Sequence, residues 1–403
     1  MIQRTLPLLL ACLYFSAPPA EAFLDGFWSR IPGFGGKAKA ATKEMPRLKL
    51  GTFTGSTGES ARNSLRGELL TSREFFVATN DEESDFTLEG SSIGGRVTGR
   101  LLDKKSKELF KRSYAAPGLD ENLKALADDV IFTITGKPGL ATSRLVFVSD
   151  KSGRKQIYIA DSDGADVHQV THDRHGAVAP SLSPDASTIA FTSYRSGYPV
   201  VGLFDIHSGW EREVTDTPGS SYGPAFSPTG DRLAVVMTFI GNPEIFVTDL
   251  NSNTASCISD SVGAPSSPSW HPDGKQIVFS NDDGSGPSLY VAEVPSKKSQ
   301  QASLFHWRTG WSNSTDPEWS PDGSEIAFTA TSRGQQVVVI KPWPSGSSRL
   351  IQGSGASHPS WSPNGRYLSY TQHGVLYVQD LASGSRKAIL RDFGRISEAR
   401  WMR

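Results

Sequence analysis

The stretch that decides the fold is Trp319-Ser320-Pro321-Asp322-Gly323, followed directly by Ser324-Glu325-Ile326-Ala327-Phe328-Thr329. Proline presets the backbone for the second position of a turn, Asp suits the third, and Gly takes the left-handed conformation that follows. The stretch therefore predicts the end of one strand, a tight turn and a second strand, which together form a hairpin.

The same turn motif occurs at four further places. They are Leu182-Ser183-Pro184-Asp185, Phe226-Ser227-Pro228-Thr229-Gly230, Trp270-His271-Pro272-Asp273-Gly274 and Trp361-Ser362-Pro363-Asn364-Gly365. The five prolines are 44, 44, 49 and 42 residues apart. A period of roughly 40–50 residues in a β-rich sequence is typical of propeller blades, because each blade is one supersecondary unit.

The ends of the repeat region predict how the propeller closes. The unit at Arg144 has no turn motif before its first strand, whereas Ser397-Glu398-Ala399-Arg400-Trp401 matches the strand that precedes each motif, as in Pro317-Glu318-Trp319. We therefore expect the C-terminal strand to supply the missing inner strand of the first blade. Five full units and one shared unit make a six-bladed β-propeller over residues 141–403.

Residues 44–140 alternate in type and predict a small α+β domain. Leu48 to Phe53 forms a short strand, and Ala61, Leu65 and Leu69 mark one face of a helix. Two later runs pair as a hairpin, and a second helix carries apolar residues at helical spacing from Leu119 to Ile134. The protein is thus expected to be mainly β, with the α+β domain preceding the propeller.

Residues 1–22 predict a cleaved signal peptide. Arg4 supplies the positive charge, Leu6 to Ser16 the apolar run and Ala20-Glu21-Ala22 the cleavage site, so we expect an exported, soluble chain. A lipoprotein signal ending at Cys12 is the alternative, although only eleven residues precede that cysteine. After cleavage at Ala22 Cys257 is the remaining cysteine, which excludes an intramolecular disulfide.

Residues 23–43 predict a mobile N-terminal arm, because they are rich in Gly, Ala, Phe and Lys and show no period. The arm either packs on the first domain or offers a peptide to a partner. The whole chain has 41 basic and 42 acidic residues. This balance argues against a nucleic-acid binder, which needs a basic face.

Two stretches fit the Gly-x-Ser-x-Gly pattern of a hydrolase nucleophile, with Ser92 and Ser221 at the serine position. A nucleophile elbow needs a strand before the serine and a helix after it, and neither stretch predicts that arrangement. His168, His172 and His175 fall at the end of an outer strand, where four residues span about 13 Å, too far for one metal ion. We expect no catalytic residue, cofactor or thiol-based metal site, and leave open a cation in the channel.

The loops that enter each inner strand are the candidate partner-binding region. Such loops gather around one mouth of a propeller channel, and function tends to lie on loops held by a rigid scaffold. The alternative is that they are ordinary solvated loops. The candidate partner-binding residues are His175, Tyr222, Ser267, Thr315, Asp316 and His358.

The sequence resembles the TolB family, the periplasmic components of the Tol–Pal system of the cell envelope. The resemblance covers nearly all of the mature chain and is sharpest at the domain junction. It rests on Ile134-Thr135-Gly136-Lys137-Pro138-Gly139, Arg144-Leu145-Val146-Phe147-Val148-Ser149, Ile157-Tyr158-Ile159-Ala160-Asp161-Ser162-Asp163-Gly164 and Gln169-Val170-Thr171. In that family the same run joins an α+β domain to a six-bladed propeller. Residues 23–43 have no clear counterpart of the short partner-binding segment at the start of mature TolB proteins.

The resemblance implies a non-enzymatic adaptor, peripheral to the envelope and monomeric. Its propeller mouth would receive the peptidoglycan-associated lipoprotein Pal, and its N-terminal domain would face a TolA-like inner-membrane protein. That linkage would support outer-membrane integrity and cell division. Two alternatives are an exported propeller that binds peptide or carbohydrate and a propeller associated with a peptidase, since peptidase propellers carry the same turn motif.

Overall fold

The computed structural model describes residues 45–72, 74–78, 84–214, 219–238, 241–259, 263–295 and 303–402. The predicted signal peptide and the predicted N-terminal arm lie outside these residues. The described chain contains a five-stranded sheet with two helices, followed by six four-stranded sheets. It is the six-bladed β-propeller with an N-terminal α+β region that the sequence predicts.

The N-terminal region is a mixed sheet covered by two helices. Its elements are β1 (Arg47–Thr54), α1 (Gly58–Ser72), β2 (Phe76–Ala78), β3 (Phe86–Ile93), β4 (Arg96–Asp103), β5 (Glu108–Tyr114) and α2 (Leu119–Thr135). The strand order is β2-β1-β3-β4-β5. Strand β1 is parallel to both of its neighbours, whereas β3, β4 and β5 are antiparallel.

Apolar residues at helical spacing bury the two helices against this sheet. Leu65 and Leu69 of α1, together with Leu126 and Val130 of α2, are fully buried in one core with the strands. Gly99 of β4 allows α2 to approach closely, because a Cβ at this position would overlap the side chain of Leu126. Burying an aliphatic side chain of this size contributes about 1.5–3 kcal/mol.

Each propeller blade is a four-stranded antiparallel sheet, numbered here along the chain. Blade 1 comprises β6 (Arg144–Ser149), β7 (Gln156–Asp161), β8 (His168–Gln169) and β29 (Ile396–Trp401). Blade 2 comprises β9 (Ala177–Leu182), β10 (Thr188–Ser193), β11 (Val200–Asp205) and β12 (Glu211–Glu213). Blade 3 comprises β13 (Ser221–Phe226), β14 (Arg232–Met237), β15 (Glu244–Asp249) and β16 (Thr254–Cys257).

The remaining three blades repeat the plan. Blade 4 comprises β17 (Ala264–Trp270), β18 (Gln276–Asp282), β19 (Ser288–Glu293) and β20 (Leu304–Trp307). Blade 5 comprises β21 (Ser312–Trp319), β22 (Glu325–Ser332), β23 (Gln335–Pro342) and β24 (Arg349–Gln352). Blade 6 comprises β25 (Ala356–Trp361), β26 (Tyr367–Gln372), β27 (Val375–Asp380) and β28 (Arg386–Leu390).

The C-terminal strand closes the ring, as predicted. Strand β29 pairs antiparallel with β6, so that Trp401 lies opposite Leu145 and Ile396 opposite Ser149. The first blade therefore takes its inner strand from the opposite end of the chain. Closure covers two strand edges that would otherwise be exposed to pairing with other chains.

The propeller core consists of six apolar clusters, one at each interface between neighbouring blades. Trp270, Trp319 and Trp361 of the turn motifs are buried in these clusters. The indole N–H of Trp270 donates to the carbonyl of Ala225 in the preceding blade at 3.0 Å, and that of Trp361 donates to the carbonyl of Glu318 at 3.2 Å. The prediction that these tryptophans pack blade against blade is confirmed.

The turn motif is stabilised by its own side chains. Ser320 Oγ donates to Asp322 Oδ1 at 2.6 Å and accepts the backbone N–H of Glu325 at 2.9 Å. Asp322 also accepts the backbone N–H of Ser324 at 3.0 Å. Gly323 has a φ of 73°, in the left-handed region that glycine adopts without strain. The turn chemistry inferred from Ser-Pro-Asp-Gly is confirmed.

Polar contacts join the N-terminal sheet and its helices to blades 1 and 6. Lys124 of α2 pairs with Asp161 of blade 1 at 3.0 Å, and Arg366 of blade 6 pairs with Glu74 at 2.8 Å. Asp128 of α2 accepts the backbone N–H of Ala141 at 2.8 Å, which fixes the connecting segment. The predicted domain boundary between residues 140 and 141 lies in that segment and stays a prediction.

Candidate functional site

The six inner strands surround one central cavity of about 370 Å³. Each inner strand contains a break in its pairing register with the second strand of the same blade, at an equivalent place. One residue at each break has a positive φ between 49° and 60°. These six bulge residues are Ala179, Gly223, Ser267, Asp316, His358 and Glu398. A β-bulge re-aims side chains, and here the bulges form a ring around the channel.

Proline follows the bulge residue in five of the six blades. These prolines are Pro180, Pro224, Pro268, Pro317 and Pro359, and Ala399 takes the place in blade 1. Proline has no N–H to donate to a strand ladder, so within sheets it is confined to edges and bulges. The recurrent proline in the inner strand is the sequence signal that could have located the ring.

The bulges correct one prediction about the candidate residues. Tyr222, Ser267, Thr315, Asp316 and His358 lie within inner strands, not in the loops before them. The expectation that they belong to entry loops is wrong, because each inner strand begins before the candidate residue and continues through the bulge. His175 is exposed and lies before β9, where the prediction placed it.

Four of the six candidate residues line the cavity. They are Tyr222, Ser267, Asp316 and His358. Thr315 is half-buried beside them and its hydroxyl donates to Asp316 Oδ2 at 3.0 Å. His175 lies outside the lining, at the rim. The structure therefore brings together residues of blades 3, 4, 5 and 6, which are far apart in the sequence.

Asp316 is the centre of the polar contacts in the channel. Ser267 Oγ donates to its Oδ1 at 3.3 Å, and His358 Nε2 lies 3.9 Å from its Oδ2. Burial opposes ionisation of Asp316, but His358, Arg400 and the hydroxyls of Thr315 and Thr329 outweigh it and hold its pKa below the ordinary value. Asp316 is therefore a carboxylate at neutral pH.

Sequence reasoning missed a second set of charged channel residues, Glu318, Glu398 and Arg400. Arg400 Nη1 lies 3.5 Å from Glu318 Oε2 and donates to the carbonyl of Pro359 at 3.2 Å. Glu398 Oε2 accepts the backbone N–H of Ala179 at 2.6 Å. These contacts join blade 1 to blades 5, 6 and 2. Glu318 and Arg400 each directly precede a tryptophan of a recognised inner strand, and this was a sequence signal for their place in the channel.

Tyr222 combines a packed ring with a polar end. Its ring contacts the apolar cluster between blades 3 and 4, and burial raises the pKa of its hydroxyl. The hydroxyl therefore stays protonated at neutral pH and can donate a hydrogen bond. Together with the carboxylate of Asp316 and the imidazole of His358, it gives the channel both donors and acceptors for a partner.

The serines of the two Gly-x-Ser-x-Gly stretches are structural. Ser221 is buried in β13, where its Oγ accepts the backbone N–H of Val201 at 3.0 Å. Ser92 is buried in β3, and its Oγ is 2.7 Å from Thr57 Oγ1. Neither serine lies between a strand and a helix. Ser357 Oγ is 3.0 Å from His358 Nδ1, and this serine is buried beside Thr371.

Within the residues that the structure describes, no three His, Cys, Asp or Glu side chains are grouped as metal ligands. His168 pairs with Asp166 at 2.7 Å and is exposed. No helix in the same described ranges is long and apolar enough to cross a membrane.

The comparisons with known proteins agree with this architecture. A family model described as the TolB beta propeller domain matches residues 132–403, which is more than half of the chain. The solved structure of TolB from Acinetobacter baumannii has a TM-score of 0.72, covering 89% of this chain and 97% of that chain at 22% identity. At this identity the likeness shows the fold.

Two curated relatives match over shorter segments. The chain is 42% identical over 104 residues to a TolB homolog of Chlorobium chlorochromatii, which is 24% of this chain and 23% of that protein. It is 32% identical over 106 residues to the Tol-Pal system protein TolB of Geobacter sulfurreducens, which is 26% of this chain and 24% of that protein. The chain thus spans about a quarter of the length of these two relatives.

Proposed function

Because the chain belongs to the TolB β-propeller family, we propose that it is a component of the Tol–Pal system of the cell envelope. It acts there as a non-enzymatic adaptor in the periplasm, after export and removal of residues 1–22. The family match and the relative named a Tol-Pal system protein support this proposal. The linkage that it provides contributes to outer-membrane integrity and cell division.

In this proposal the propeller binds Pal at the channel mouth. The inserted part of Pal contacts the four cavity residues Tyr222, Ser267, Asp316 and His358. Thr315 holds Asp316 in place through its hydrogen bond, and His175 contacts Pal from the rim. The N-terminal domain faces a TolA-like inner-membrane protein. The observation that carries the docking site is that one cavity collects donors and acceptors from four blades.

The turn motifs at the other end of the inner strands support this choice of face. Their carboxylates are engaged within the turn, as Asp322 is by Ser320 and Ser324. A group whose hydrogen bonds are already satisfied gains little from a partner, because new contacts must replace existing ones. In the channel, by contrast, Tyr222 keeps a protonated hydroxyl that can donate to a partner, and it lines the same cavity as Asp316 and His358.

The experiment that tests the function is calorimetry with purified Pal of the same organism, prepared without its lipid anchor. Wild-type protein should bind Pal, and soluble peptidoglycan fragments alone should not compete. Absence of binding to Pal, together with binding to the fragments, would favour the carbohydrate-binding propeller instead.

Replacing both His175 and Tyr222 by Ala should weaken Pal binding by about 2 kcal/mol or more, since interface energy is concentrated in few residues.

A further inference from the structure

A continuous group of exposed cations lies beside the channel mouth on blade 1 and at the start of blade 2. The group, called here the basic ridge, consists of Lys151, Arg154, Lys155, Arg174 and Arg395. Two carboxylates, Asp150 and Asp392, lie among them. The ridge is strongly positive although the chain as a whole has a formal charge of −1.

Backbone contacts hold the three segments of the ridge together. The N–H of Arg395 donates to Asp150 Oδ1 at 2.6 Å, which joins the segment before β29 to the hairpin between β6 and β7. The N–H of Ala177 donates to the carbonyl of Lys155 at 2.9 Å, which joins that hairpin to the start of β9. Arg154 also donates to the carbonyl of Arg174. The ridge is thus a fixed feature of the fold.

The side chains of the ridge are available to a partner. In the described part of the chain, Lys155, Arg174 and Arg395 have no side-chain ion pair or hydrogen bond. Lys151 contacts the ring of Phe393 and donates to the carbonyl of Asp392 at 3.3 Å, so its charge is not neutralised either. The neighbouring Arg195 differs, because it is paired with Asp173 at 2.9 Å and with Glu211.

The ridge lies at the same end of the channel as the docking site. Arg174 is adjacent to His175, and both precede β9, while Arg395 directly precedes β29. The bulge residues Ala179 and Glu398 follow within a few positions in those strands. A partner that inserts into the channel would therefore pass the ridge on one side.

We propose that the basic ridge binds an acidic segment of the protein that docks in the channel, and so fixes its rotational orientation. The inference rests on the proposed function and adds the chemistry of the partner. An anionic membrane is the other possible surface for such cations. It is disfavoured because Asp282 and Asp283, on the same end of blade 4, are exposed and would repel an anionic bilayer.

Charges at the rim of an interface act mainly on the rate of association and on its salt dependence. The test compares wild-type protein with the triple variant Lys155→Gln, Arg174→Gln, Arg395→Gln. Among the described residues, these three native side chains have no ion pair or hydrogen bond. At an ionic strength of about 0.05 M the triple variant should bind lipid-free Pal roughly tenfold more weakly, through slower association. At about 0.5 M salt the two affinities should converge, because exposed charges are screened.

A matched control changes the same number of charges elsewhere. Lys104, Lys105 and Lys107 are exposed in the turn between β4 and β5, and replacing them by Gln should leave Pal binding unchanged.

Equal affinity and equal salt dependence for wild type and ridge variant would overturn the acidic-segment proposal while leaving Pal docking intact. Failure of wild-type protein to bind Pal would overturn the proposed function, and the ridge proposal with it. If the ridge variant lost binding only to phosphatidylglycerol vesicles, the ridge would be a membrane site and the proposal would be wrong.

Discussion

At the scale of single residues, the channel is defined by contacts between side chains from different blades. Asp316 is the clearest example, because Ser267 and His358 approach its carboxylate from the two neighbouring blades. The groups that lower its pKa are His358 and Arg400 of other blades together with Thr315 and Thr329 of its own blade. The low pKa of Asp316 therefore depends in part on the assembled ring.

The depressed pKa of Asp316 has a consequence for acid stability. A carboxyl group whose pKa is lower in the folded state stabilises the fold above its unfolded pKa, near 3.9, and loses that contribution as pH decreases through the folded pKa. Asp316→Asn should therefore lower the free energy of unfolding most at neutral pH. The difference from wild type should shrink below about pH 4. Urea unfolding at pH 7, 5 and 3.5 measures it, and a difference independent of pH would contradict the electrostatic explanation.

The sequence did not show which charged side chains form ion pairs across the channel. Asp316 and His358 were recognised as candidates because they were placed in the loops that enter the inner strands. The pairing of Arg400 with Glu318 was not, because these residues are about 80 positions apart and meet only when the ring closes. A repeat pattern identifies equivalent places in the blades but does not say which side chains meet across the channel.

At the scale of elements, the turns between inner and second strands pack in a chain around the propeller. Gly323 of blade 5 lies against His271 of blade 4, and Gly365 of blade 6 lies against Pro321 of blade 5. Both glycines have nearly the same left-handed φ, 73° and 71°. The two glycines are therefore matched in backbone conformation and differ only in how closely the neighbouring side chain approaches.

Replacing each glycine by Ala should separate backbone strain from crowding. Gly365→Ala should cost about 1–2 kcal/mol, the penalty for a side chain in the left-handed region, since its Cβ would lie 3.8 Å from Pro321. Gly323→Ala should cost more, because its Cβ would overlap His271, whose ring is held against Trp319 with centroids 4.6 Å apart. Chemical unfolding of both variants measures the difference. Equal losses of stability would show that His271 moves aside freely.

Strands, turns and helices were largely predictable because each leaves a local pattern in the sequence. The bulges left no such pattern. Every blade contains one, so the spacing between repeats is the same with bulges as without them. Inner strands such as β21 were consequently predicted to begin too late, and Thr315 and Asp316 were placed in a loop. The proline after each bulge is a local signal, but proline is also common in loops, which is how it was interpreted.

At the scale of the whole molecule, the ring depends on strand β29. Deleting residues 397–403 should remove the inner strand of blade 1, expose the edges of β6 and its neighbours and open the core that contains Trp401. The loss of stability should be well above the roughly 1 kcal/mol of an average substitution, and the variant should aggregate. Thermal unfolding and light scattering measure both effects.

The control for this deletion is Arg400→Ala, which keeps the β29 backbone and removes only a channel side chain. It should not aggregate, and it should unfold much closer to the wild-type temperature than the deletion variant does. A deletion variant that unfolds at the wild-type temperature would contradict ring closure by β29. Closure was predictable from sequence because the last strand repeats the inner-strand pattern without a following turn motif.

Site-specific photo-crosslinking tests most directly whether Pal docks at the channel mouth. A benzoylphenylalanine residue is placed at His175, which is exposed at the rim, and in a second variant at Asp273, which is exposed in a turn motif at the opposite end of the inner strands. Irradiation with lipid-free Pal should give a crosslinked product from position 175 and none from position 273. Crosslinking from position 273 but not from position 175 would show that Pal binds the opposite face.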